Sequence, residues 1–422
     1  MLKFPHLPVQ IFQKLENESL FKCKEVARLW HNVIDGRCYP WLRIVNIPTI
    51  LKKKNTYLHL AAETGQIQVF KTAFNQEGNR KIKNECGETL FHHACKNGRF
   101  SIAQLLMKNT EMEIKFGAKD NHGINLNAKT KNGNTAFNWA CREGHSDVIM
   151  IMMENTVALN IDLNTKDNNS MTGLHWACTR GHANVFKVFL EKAPFFIDLN
   201  AKTAAGRTAF QEACIYGHSD VVKIFMENAV ALSIDLNTKD NSGLTGFQWA
   251  CQRGHSDMVK IFMENASALN IDLNRKNKNG WTGFHWANHW GSSDMIQIFM
   301  ENAIALSIDL NIKDNVSMTG FHYACKIGHA NVVKVLLENR AALSMDLNAK
   351  SKYTGTGFHH ACYRGHSNVV KIILENALIL SIDLNAKNRW GNTAFQEACN
   401  YGHLDVIKKI TENAAALSID LY

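Results

Sequence analysis

The chain has 422 residues and a net charge of +9, and 45% of its residues are hydrophobic while 20% are charged. Proline is scarce and there is no Ser-rich, Gly-rich or Gln-rich tract, so we expect a folded chain without a long disordered arm. No apolar run approaches the roughly 18 residues of a membrane helix, and Met1 to Val9 lacks the apolar stretch of a signal peptide. These features argue against a membrane protein and predict a location in the cytoplasm or the nucleus.

The positive charge is concentrated near the N-terminus. Residues 1–55 carry ten Lys and Arg against four Asp and Glu, a net charge of +6, which leaves 37 against 34 for the other residues. A basic segment favours an acidic protein partner. We expect no nucleic-acid partner, because the rest of the chain carries no dense basic stripe. The run Lys52-Lys53-Lys54 is interpreted as a solvated linker rather than a nuclear signal.

Residues 1–50 have apolar side chains at helical spacing and predict two or three short amphipathic helices. Alone, such helices could hardly form a stable core. The pattern resembles an F-box: Leu-Pro at the start, Ile-Phe-x-x-Leu after it, and then Leu20, Val26 and Trp30. It departs from that family by about one helical turn between Leu-Pro and Ile-Phe, which are closer together here.

The F-box resemblance implies a docking surface for the Skp adaptor of a cullin ubiquitin ligase. The residues carried over to that surface are Leu7, Pro8, Ile11, Leu15, Leu20 and Val26. The alternative is that these helices form a cap, which protects the first of the repeats that follow.

A repeated unit occupies residues 51–422. Its threonine recurs ten times, at Thr56, Thr89, Thr135, Thr172, Thr208, Thr245, Thr282, Thr319, Thr356 and Thr393. From Thr135 onward the steps are 37, 36, 37, 37, 37, 37 and 37 residues. Self-similarity at this period is typical of a solenoid, in which each unit buries its apolar face against its neighbours.

Each unit reads as two antiparallel helices and a turn. In the unit around Thr245, this threonine is placed to cap a helix, and Gly254 is placed to end it. A second helix begins at Ser256 and presents a broad apolar surface.

The motif resembles the ankyrin repeat, most closely over Asn392 to His403 and Val369 to Lys387. It departs in three ways: no proline follows the threonine, the second alanine is usually cysteine, and extra residues lie in segments such as Ala231 to Asn237. The addition predicts longer second helices or a regular bulge. The implied fold is an all-α ankyrin solenoid of about ten helix-turn-helix repeats with hairpin loops over residues 51–422, preceded by an F-box-like domain over residues 1–50.

The recurring cysteines and histidines are interpreted as structural. Eight cysteines hold one place in successive repeats, where helix spacing of about 10 Å is too wide for disulfides, so we expect buried thiols. Histidines recur three residues after the threonine and directly after the helix-ending glycine, which predicts hydrogen bonds to neighbouring turns. The chain has no Walker loop, nucleophile elbow or Cys-x-x-Cys pair. We therefore expect no enzymatic activity, no metal site and no cofactor.

One spacing departs from the period. Between Thr89 and Thr135 the step is 46 residues, with the excess around Glu111 to Asn125. We expect this insertion to form a long hairpin or loop.

Positions that vary between repeats indicate the recognition surface. In ankyrin proteins the two residues before Gly-His and the hairpin tip line the concave face, and arginine and aromatic residues dominate these places here. The candidate target-binding residues are Arg142, Arg180, Tyr216, Arg253, Trp281, His289, Trp290, Tyr363, Arg364 and Tyr401. This composition predicts an acidic target protein. The alternative is ordinary surface drift among duplicated repeats.

The seventh repeat differs most from the others. Trp281 and Trp290 have no equivalents in other repeats and are the best candidates for a binding hot spot. Trp286 has parallels at Trp139, Trp176 and Trp249, which predicts a packing role.

Together, the two resemblances predict the function of a substrate-recognition subunit of an SCF-type ubiquitin ligase. The F-box-like segment would dock on the Skp adaptor and the repeats would bind a target protein. The alternatives are an ankyrin scaffold or inhibitor with no ligase link, and a microbial effector of the same architecture. We expect a monomeric array.

Overall fold

The fold is described from a computed structural model, which places residues 57–76, 82–115, 124–192 and 196–421. The predicted F-box-like segment, residues 1–50, lies outside these ranges. Within them the secondary structure is helical, apart from isolated bridges that pair Lys83 with Thr89 and Ser351 with Gly355. The predicted all-α architecture of ten helix pairs is confirmed over these ranges.

Each repeat contributes a first helix and a second helix. The first helices are α1 (Tyr57–Thr64), α3 (Leu90–Lys96), α5 (Ala136–Glu143), α8 (Gly173–Arg180), α10 (Ala209–Tyr216), α12 (Gly246–Arg253), α14 (Gly283–Trp290), α16 (Gly320–Ile327), α18 (Gly357–Arg364) and α20 (Ala394–Asn400). The second helices are α2 (Ile67–Gln76), α4 (Phe100–Lys115), α6 (Ser146–Glu154), α9 (Ala183–Lys192), α11 (Ser219–Asn228), α13 (Ser256–Asn265), α15 (Ser293–Asn302), α17 (Ala330–Leu343), α19 (Ser367–Asn376) and α21 (Leu404–Leu417). A short helix, α7 (Thr156–Leu159), follows α6.

The ends of the first helices are fixed by the residues that the sequence predicts. At the start of α12 the Thr245 hydroxyl accepts a bond from the Gln248 N–H (3.3 Å), and the Gln248 carbonyl oxygen accepts one from the Thr245 N–H (3.0 Å). This is a capping box. The helix ends at Gly254, whose φ of 78° places it in the left-handed region that glycine tolerates without strain.

The helices form two compact units. One ends at Asp198 and the other spans Leu199–Tyr422. Within the first unit α3, α5 and α8 pack side by side in chain order. Within the second unit the first helices pack in chain order from α10 to α20, and the second helices pack in chain order from α11 to α21. Each unit is thus a linear stack in which a repeat packs on its neighbours.

Phenylalanine forms much of the core of the second unit. The Phe210 ring lies 5.5 Å from Phe225 in its own repeat and 5.9 Å from Phe262 in the next. The Phe247 ring continues this pattern, at 5.4 Å from Phe262 and 6.0 Å from Phe299. Each first-helix phenylalanine therefore joins two repeats through edge-on or tilted ring contacts.

A close approach between repeats explains why glycine often follows the capping threonine. A Cβ atom added at Gly283 would lie 2.6 Å from Cε1 of Phe247 in the preceding repeat. This distance is well inside van der Waals contact, so a larger residue would push the two first helices apart. The proline of the usual ankyrin motif does not fit at this position.

The extra residues of each unit pack, as predicted. After α11 the chain makes a further turn through Ala229 and then reaches Ser233, whose φ is 52°. Ile234 and Leu236 follow and are buried. In the eighth and tenth repeats the added turn is part of helices α17 and α21, which run for 14 residues each. The prediction of longer second helices is confirmed in these two repeats.

In seven repeats an asparagine, which in six of them ends an Asp-Leu-Asn segment, ties the repeat to the next. The Asn274 side chain donates to the carbonyl of Ser307 (2.9 Å) and accepts from the N–H of Asp309 (2.9 Å). Asn274 is itself held by a bond from its own N–H to the Asp272 carboxylate (3.1 Å). Equivalent pairs of bonds are made by Asn127, Asn164, Asn237, Asn311, Asn348 and Asn385. We call this row the asparagine ladder.

We expect the Asn274→Ala substitution to lower the free energy of unfolding by about 1–2 kcal/mol, because it removes two hydrogen bonds between repeats. Urea unfolding of the full chain measures this change. The Asn279→Ala variant is the control, because Asn279 lies on an exposed hairpin and its side chain makes no bond between repeats. Equal losses in the two variants would contradict a role for the ladder in stability.

The prediction for residues 111–125 is corrected in part. Residues 111–115 do not form a loop, because they continue helix α4 to Lys115. The sequence has no glycine or proline between Phe100 and Lys115, so nothing ends the helix earlier. Residues 116–123 lie outside the described ranges, and the prediction of a loop there stays untested.

The recurring cysteines are buried free thiols in seven of the eight repeats, and Cys399 is the exception because it is exposed in the last repeat. Burial raises the pKa of thiols such as Cys251 and Cys362 well above the usual value. Such thiols are unreactive toward metals and oxidants. None of the helices in the described ranges is long and apolar enough to cross a bilayer.

Candidate target-binding surface

The predicted target-binding residues lie at the ends of the first helices and on the loops that precede them. Tyr216, Trp290 and Tyr401 are exposed by 54%, 56% and 54%. The exposed set also contains Arg180, Arg253 and Arg364, whereas Arg142, Trp281, His289 and Tyr363 are half-buried. Two of the ten, Arg142 and Arg180, belong to the first unit and the other eight to the second.

In the first unit, cations and indole rings alternate. The Arg142 guanidinium lies 4.8 Å from the ring centre of Trp139 and 4.7 Å from that of Trp176. The Lys96 ammonium lies 4.1 Å from the Trp139 ring. Arg142 also pairs with Glu143 at 3.8 Å. Its side chain is thus a layer between two indoles rather than a projecting anchor.

The second unit begins with a similar stack. The Arg207 guanidinium lies 4.8 Å from the Trp249 ring and 3.7 Å from the Asp240 carboxylate. The Trp249 indole donates to the same carboxylate at 3.0 Å, and Arg253 approaches the ring from its own helix at 5.6 Å. Sequence analysis missed Arg207. The available indication was that Arg207 directly precedes Thr208, as Trp281 directly precedes Thr282 in the seventh repeat.

The seventh and eighth repeats share an aromatic cluster around Trp281. Its ring centre lies 4.5 Å from Trp286, 5.2 Å from His289 and 4.4 Å from Tyr323. Trp290 touches the edge of the cluster, with its ring 5.2 Å from His289. Of the two predicted hot-spot residues, Trp290 is therefore the projecting one, and Trp281 is the centre that holds the cluster together.

Two nitrogen atoms in this cluster are buried without a hydrogen-bond partner among the described residues: Nε1 of Trp286 and Nδ1 of His289. In the sixth repeat the corresponding indole, Trp249, donates to Asp240. Asn277 takes the place of that aspartate in the seventh repeat. A buried polar atom without a partner is costly, so we expect these two nitrogens to lower the stability of the seventh repeat.

The histidines that follow the threonines serve as structural donors. The Thr319 N–H donates to Nδ1 of His322 (3.1 Å), and Nε2 of His322 lies 3.2 Å from the Gly355 carbonyl in the next repeat. A backbone N–H can only donate and a carbonyl can only accept, so the ring is neutral with its proton on Nε2. Burial lowers the pKa of His322 to about 4, which keeps this tautomer.

The histidines that follow the helix-ending glycines also bond between repeats. Nε2 of His366 donates to the Lys326 carbonyl at 3.0 Å, and a Cβ added at Gly328 would lie 2.6 Å from Nδ1 of the same ring. The predicted structural role is confirmed for His145, His182, His255, His329, His366 and His403.

The first unit also contains a charged cluster that the sequence did not predict. His93 lies 3.3 Å from Glu88 and 3.5 Å from Glu63, and Lys96 lies 3.4 Å from Glu88. Although burial opposes it, hydrogen bonds to Glu63 and Glu88 raise the pKa of His93 above its ordinary value. The same contact with His93 lowers the pKa of Glu88. These charges fix the side chains beside the Lys96–Trp139 stack.

A cavity of about 250 Å³ lies in the eighth and ninth repeats. Its lining residues are Val316, Met318, Lys326, Ser351, Tyr353, Thr354, His360, Tyr363 and Arg364. The Tyr363 ring continues the surface to Tyr401 in the tenth repeat, with ring centres 4.4 Å apart.

The chemistry of this surface is that of binding. Tryptophan, tyrosine and arginine bury large areas when a partner covers them and add cation–π and hydrogen-bond contacts. In the described ranges, the structure brings together no group of three His, Cys, Asp or Glu side chains that could hold a metal ion.

These features define a helical repeat protein with its variable aromatic and basic residues at the first-helix ends and hairpins. The family model for ankyrin repeats in three copies matches residues 58–167, 120–203, 151–240, 228–314, 302–378 and 321–420. The chain belongs to the ankyrin-repeat family.

Among solved structures, the fold is similar to the ankyrin repeat domain of Bcl-3, described as a unique member of the IkappaB protein family, with 18% identity and a TM-score of 0.46. That match covers 56% of this chain and 94% of the Bcl-3 chain. The search of curated proteins found no significant match.

Proposed function

We propose that this chain is a non-catalytic binding protein whose repeats hold a target protein. The observation that carries the proposal is that each unit has exposed arginine or aromatic side chains at the ends of its first helices. Arg180, Arg253 and Arg364 are exposed there, and no carboxylate in the described ranges lies within ion-pair distance of them. A protein segment that brings both acidic and apolar side chains would satisfy such a surface.

Two of the exposed aromatic anchors lie against other rings, which favours tight binding. Trp290 rests against His289, and Tyr401 rests against Tyr363. Because each ring already has a neighbour to pack against, a partner would restrict fewer of its orientations on binding.

The second part of the proposal concerns the N-terminal segment, and it rests on sequence. Residues 1–50 would dock on the Skp adaptor of a cullin ubiquitin ligase through Ile11, Leu15 and the other F-box-like positions. The excess of basic residues in this segment suits an acidic adaptor. The chain would then bring a bound target near a ubiquitin-loaded enzyme and raise its local concentration. Such an assembly would work in the cytoplasm or the nucleus.

The test is a binding measurement with purified Skp adaptor. We expect the full chain to bind it, and the Ile11→Asp, Leu15→Asp double variant to lose binding, because a charge in a buried apolar interface cannot be solvated. The helical circular dichroism of the variant should be unchanged, since the repeats fold without this contact.

A second double variant, Lys52→Gln with Lys53→Gln, is the control for charge, because it lowers the positive charge without changing the apolar positions. Absence of binding by the unmodified chain would leave an ankyrin scaffold or inhibitor without a ligase link. Loss of helical signal in the Ile11, Leu15 variant would support the alternative that these helices cap the repeats.

A further inference from the structure

The cavity in the eighth and ninth repeats combines positive charge with aromatic walls. Lys326 and Arg364 line it, together with the rings of Tyr353 and Tyr363. Its floor includes Met318, which is almost fully buried. All these residues belong to the second unit.

Two buried carboxylates in the eighth and tenth repeats, Asp314 and Glu397, are engaged in bonds to other groups. Asp314 accepts a bond from the Tyr323 hydroxyl at 2.6 Å and two bonds from N–H groups of its own turn. Glu397 accepts bonds from the side chains of Asn388 (2.7 Å) and Asn392 (3.0 Å). Neither carboxylate lines the cavity, nor does either lie within ion-pair distance of Lys326 or Arg364.

Two further cations lie beside Tyr353, which is one of the residues that line the cavity. The Lys352 ammonium lies 5.5 Å from the Tyr353 ring and the Arg389 guanidinium lies 5.2 Å from it. Both are exposed. Lys352 and Arg389 therefore add to the positive potential that Lys326 and Arg364 give the cavity.

Polar groups inside the cavity can donate to an anion. The hydroxyls of Ser351 and Thr354 lie 3.1 Å apart, and Nε2 of His360 lies 2.6 Å from the Thr354 oxygen. Burial and the neighbouring His322 and Lys326 lower the pKa of His360 to about 3, so its ring is neutral at physiological pH. The ring adds no charge of its own. With its proton on Nε2 it donates to the Thr354 oxygen and leaves the proton of that hydroxyl for an anion.

We propose that this cavity binds the oxyanion of a protein side chain, a phosphoryl or carboxylate group, in an extended segment of the target. Lys326 and Arg364 pair with the oxygens, the hydroxyls of Ser351 and Thr354 donate to them, and the tyrosine rings pack on the adjoining apolar part. This inference rests on the proposed target-binding role of the repeats, and it names the chemistry of the group that they select.

A protein segment fits these observations better than nucleic acid does. Residues 56–422 carry 37 basic against 34 acidic side chains, and this cavity has four of the cations in its lining or beside Tyr353. A phosphate backbone needs a row of cations for affinity, whereas one oxyanion beside an apolar group needs only a local site.

The experiment uses the full chain and fluorescein-labelled pentapeptides, Gly-Ala-X-Ala-Gly, in which X is phosphotyrosine, phosphoserine, glutamate or alanine. We expect saturable anisotropy changes with the phosphorylated peptides, weaker binding of the glutamate peptide because it carries less charge, and none with alanine. The Lys326→Gln and Arg364→Gln variants should each bind the phosphopeptides at least about tenfold more weakly, since each loses a charge-assisted pair.

The matched control is Lys260→Gln, which removes one positive charge from the exposed face of helix α13, away from the residues that line the cavity, and should leave the affinities unchanged. Binding that is absent with every peptide, or equally strong in all variants, would overturn the inference. Tighter binding of a labelled single-stranded RNA dodecamer, lost in the same two variants, would also overturn it and assign the cavity to nucleic acid. Skp binding by the same samples shows separately whether the adaptor proposal holds.

Discussion

The His322→Gln variant is expected to have the same free energy of unfolding as the natural chain at pH 7.5. At pH 5 we expect it to be about 2 kcal/mol more stable than the natural chain. The pKa of His322 in the folded chain is about 4, against an ordinary value of 6.5, and the cause is burial. A histidine with a lowered pKa binds its proton more readily after unfolding. The stability that depends on a neutral His322 is thus fully present above pH 6.5, and it is lost as the pH drops toward 4.

Glutamine is the right replacement because other repeats already use it. In the sixth repeat the Thr245 N–H donates to the Gln248 carbonyl oxygen at 3.0 Å, and the Gln248 amide donates to the Trp281 carbonyl at 2.9 Å. His322 makes the corresponding two bonds through Nδ1 and Nε2. The amide therefore keeps both hydrogen bonds and lacks the group that takes up a proton.

Urea unfolding at pH 7.5 and at pH 5 measures the effect, and the reverse exchange supplies the control. Gln248→His should add acid sensitivity of similar size, because the new ring would be buried between the same backbone groups. If both variants lose as much stability on acidification as the natural chain, the buried histidines are not the source of acid sensitivity.

The Phe247→Ala variant is expected to lose about 3–5 kcal/mol of unfolding free energy. The Phe247 ring is almost fully buried, contacts Phe262 and Phe299, and packs where Gly283 leaves room for it. An alanine would leave a cavity at the contact between the sixth and seventh repeats. Because each repeat is stabilised by its neighbours, this loss also weakens the coupling along the second unit.

Urea unfolding followed by circular dichroism at pH 7.5 tests this second expectation. The lower coupling should broaden the transition or divide it in two. Leu404→Ala is the control, since Leu404 is 76% exposed and its removal should change stability by less than about 0.5 kcal/mol. A sharp single transition and a loss no larger than that of the control would contradict the role assigned to Phe247.

The sequence predicts most of the fold because the repeat displays each structural element many times. The capping role of Thr245, the end of the helix at Gly254 and the structural bonds of the histidines follow from local chemistry. Helix α4 shows the limit. A break in the period predicts extra residues but not their conformation, which depends on where the helix meets its first terminating residue.

The candidate surface is less predictable, because it depends on which side chains meet across repeats. The variable positions identified exposed residues such as Trp290 and Arg364. They did not show that Arg142 lies between two indoles, or that Tyr353 and His360 share a cavity with Arg364. These contacts join residues in consecutive repeats, and their geometry follows from the stacking of helices rather than from local sequence.

The asparagine ladder makes the repeats equivalent to one another in the bonds that they form with their neighbours. Each bond joins positions separated by the same interval, such as Asn237 with Asn270 and Asn274 with Ser307. Removal of residues 246–282, one whole period, would connect Thr245 to Gly283 and place Asn237 opposite the carbonyl of Ser307. The ladder bonds that Asn237 loses to the deleted repeat would then be formed with the repeat that follows. Gene rearrangements that add or delete a whole period can therefore change the length of the protein and the set of side chains on its surface. The ladder bonds between neighbouring repeats would be kept.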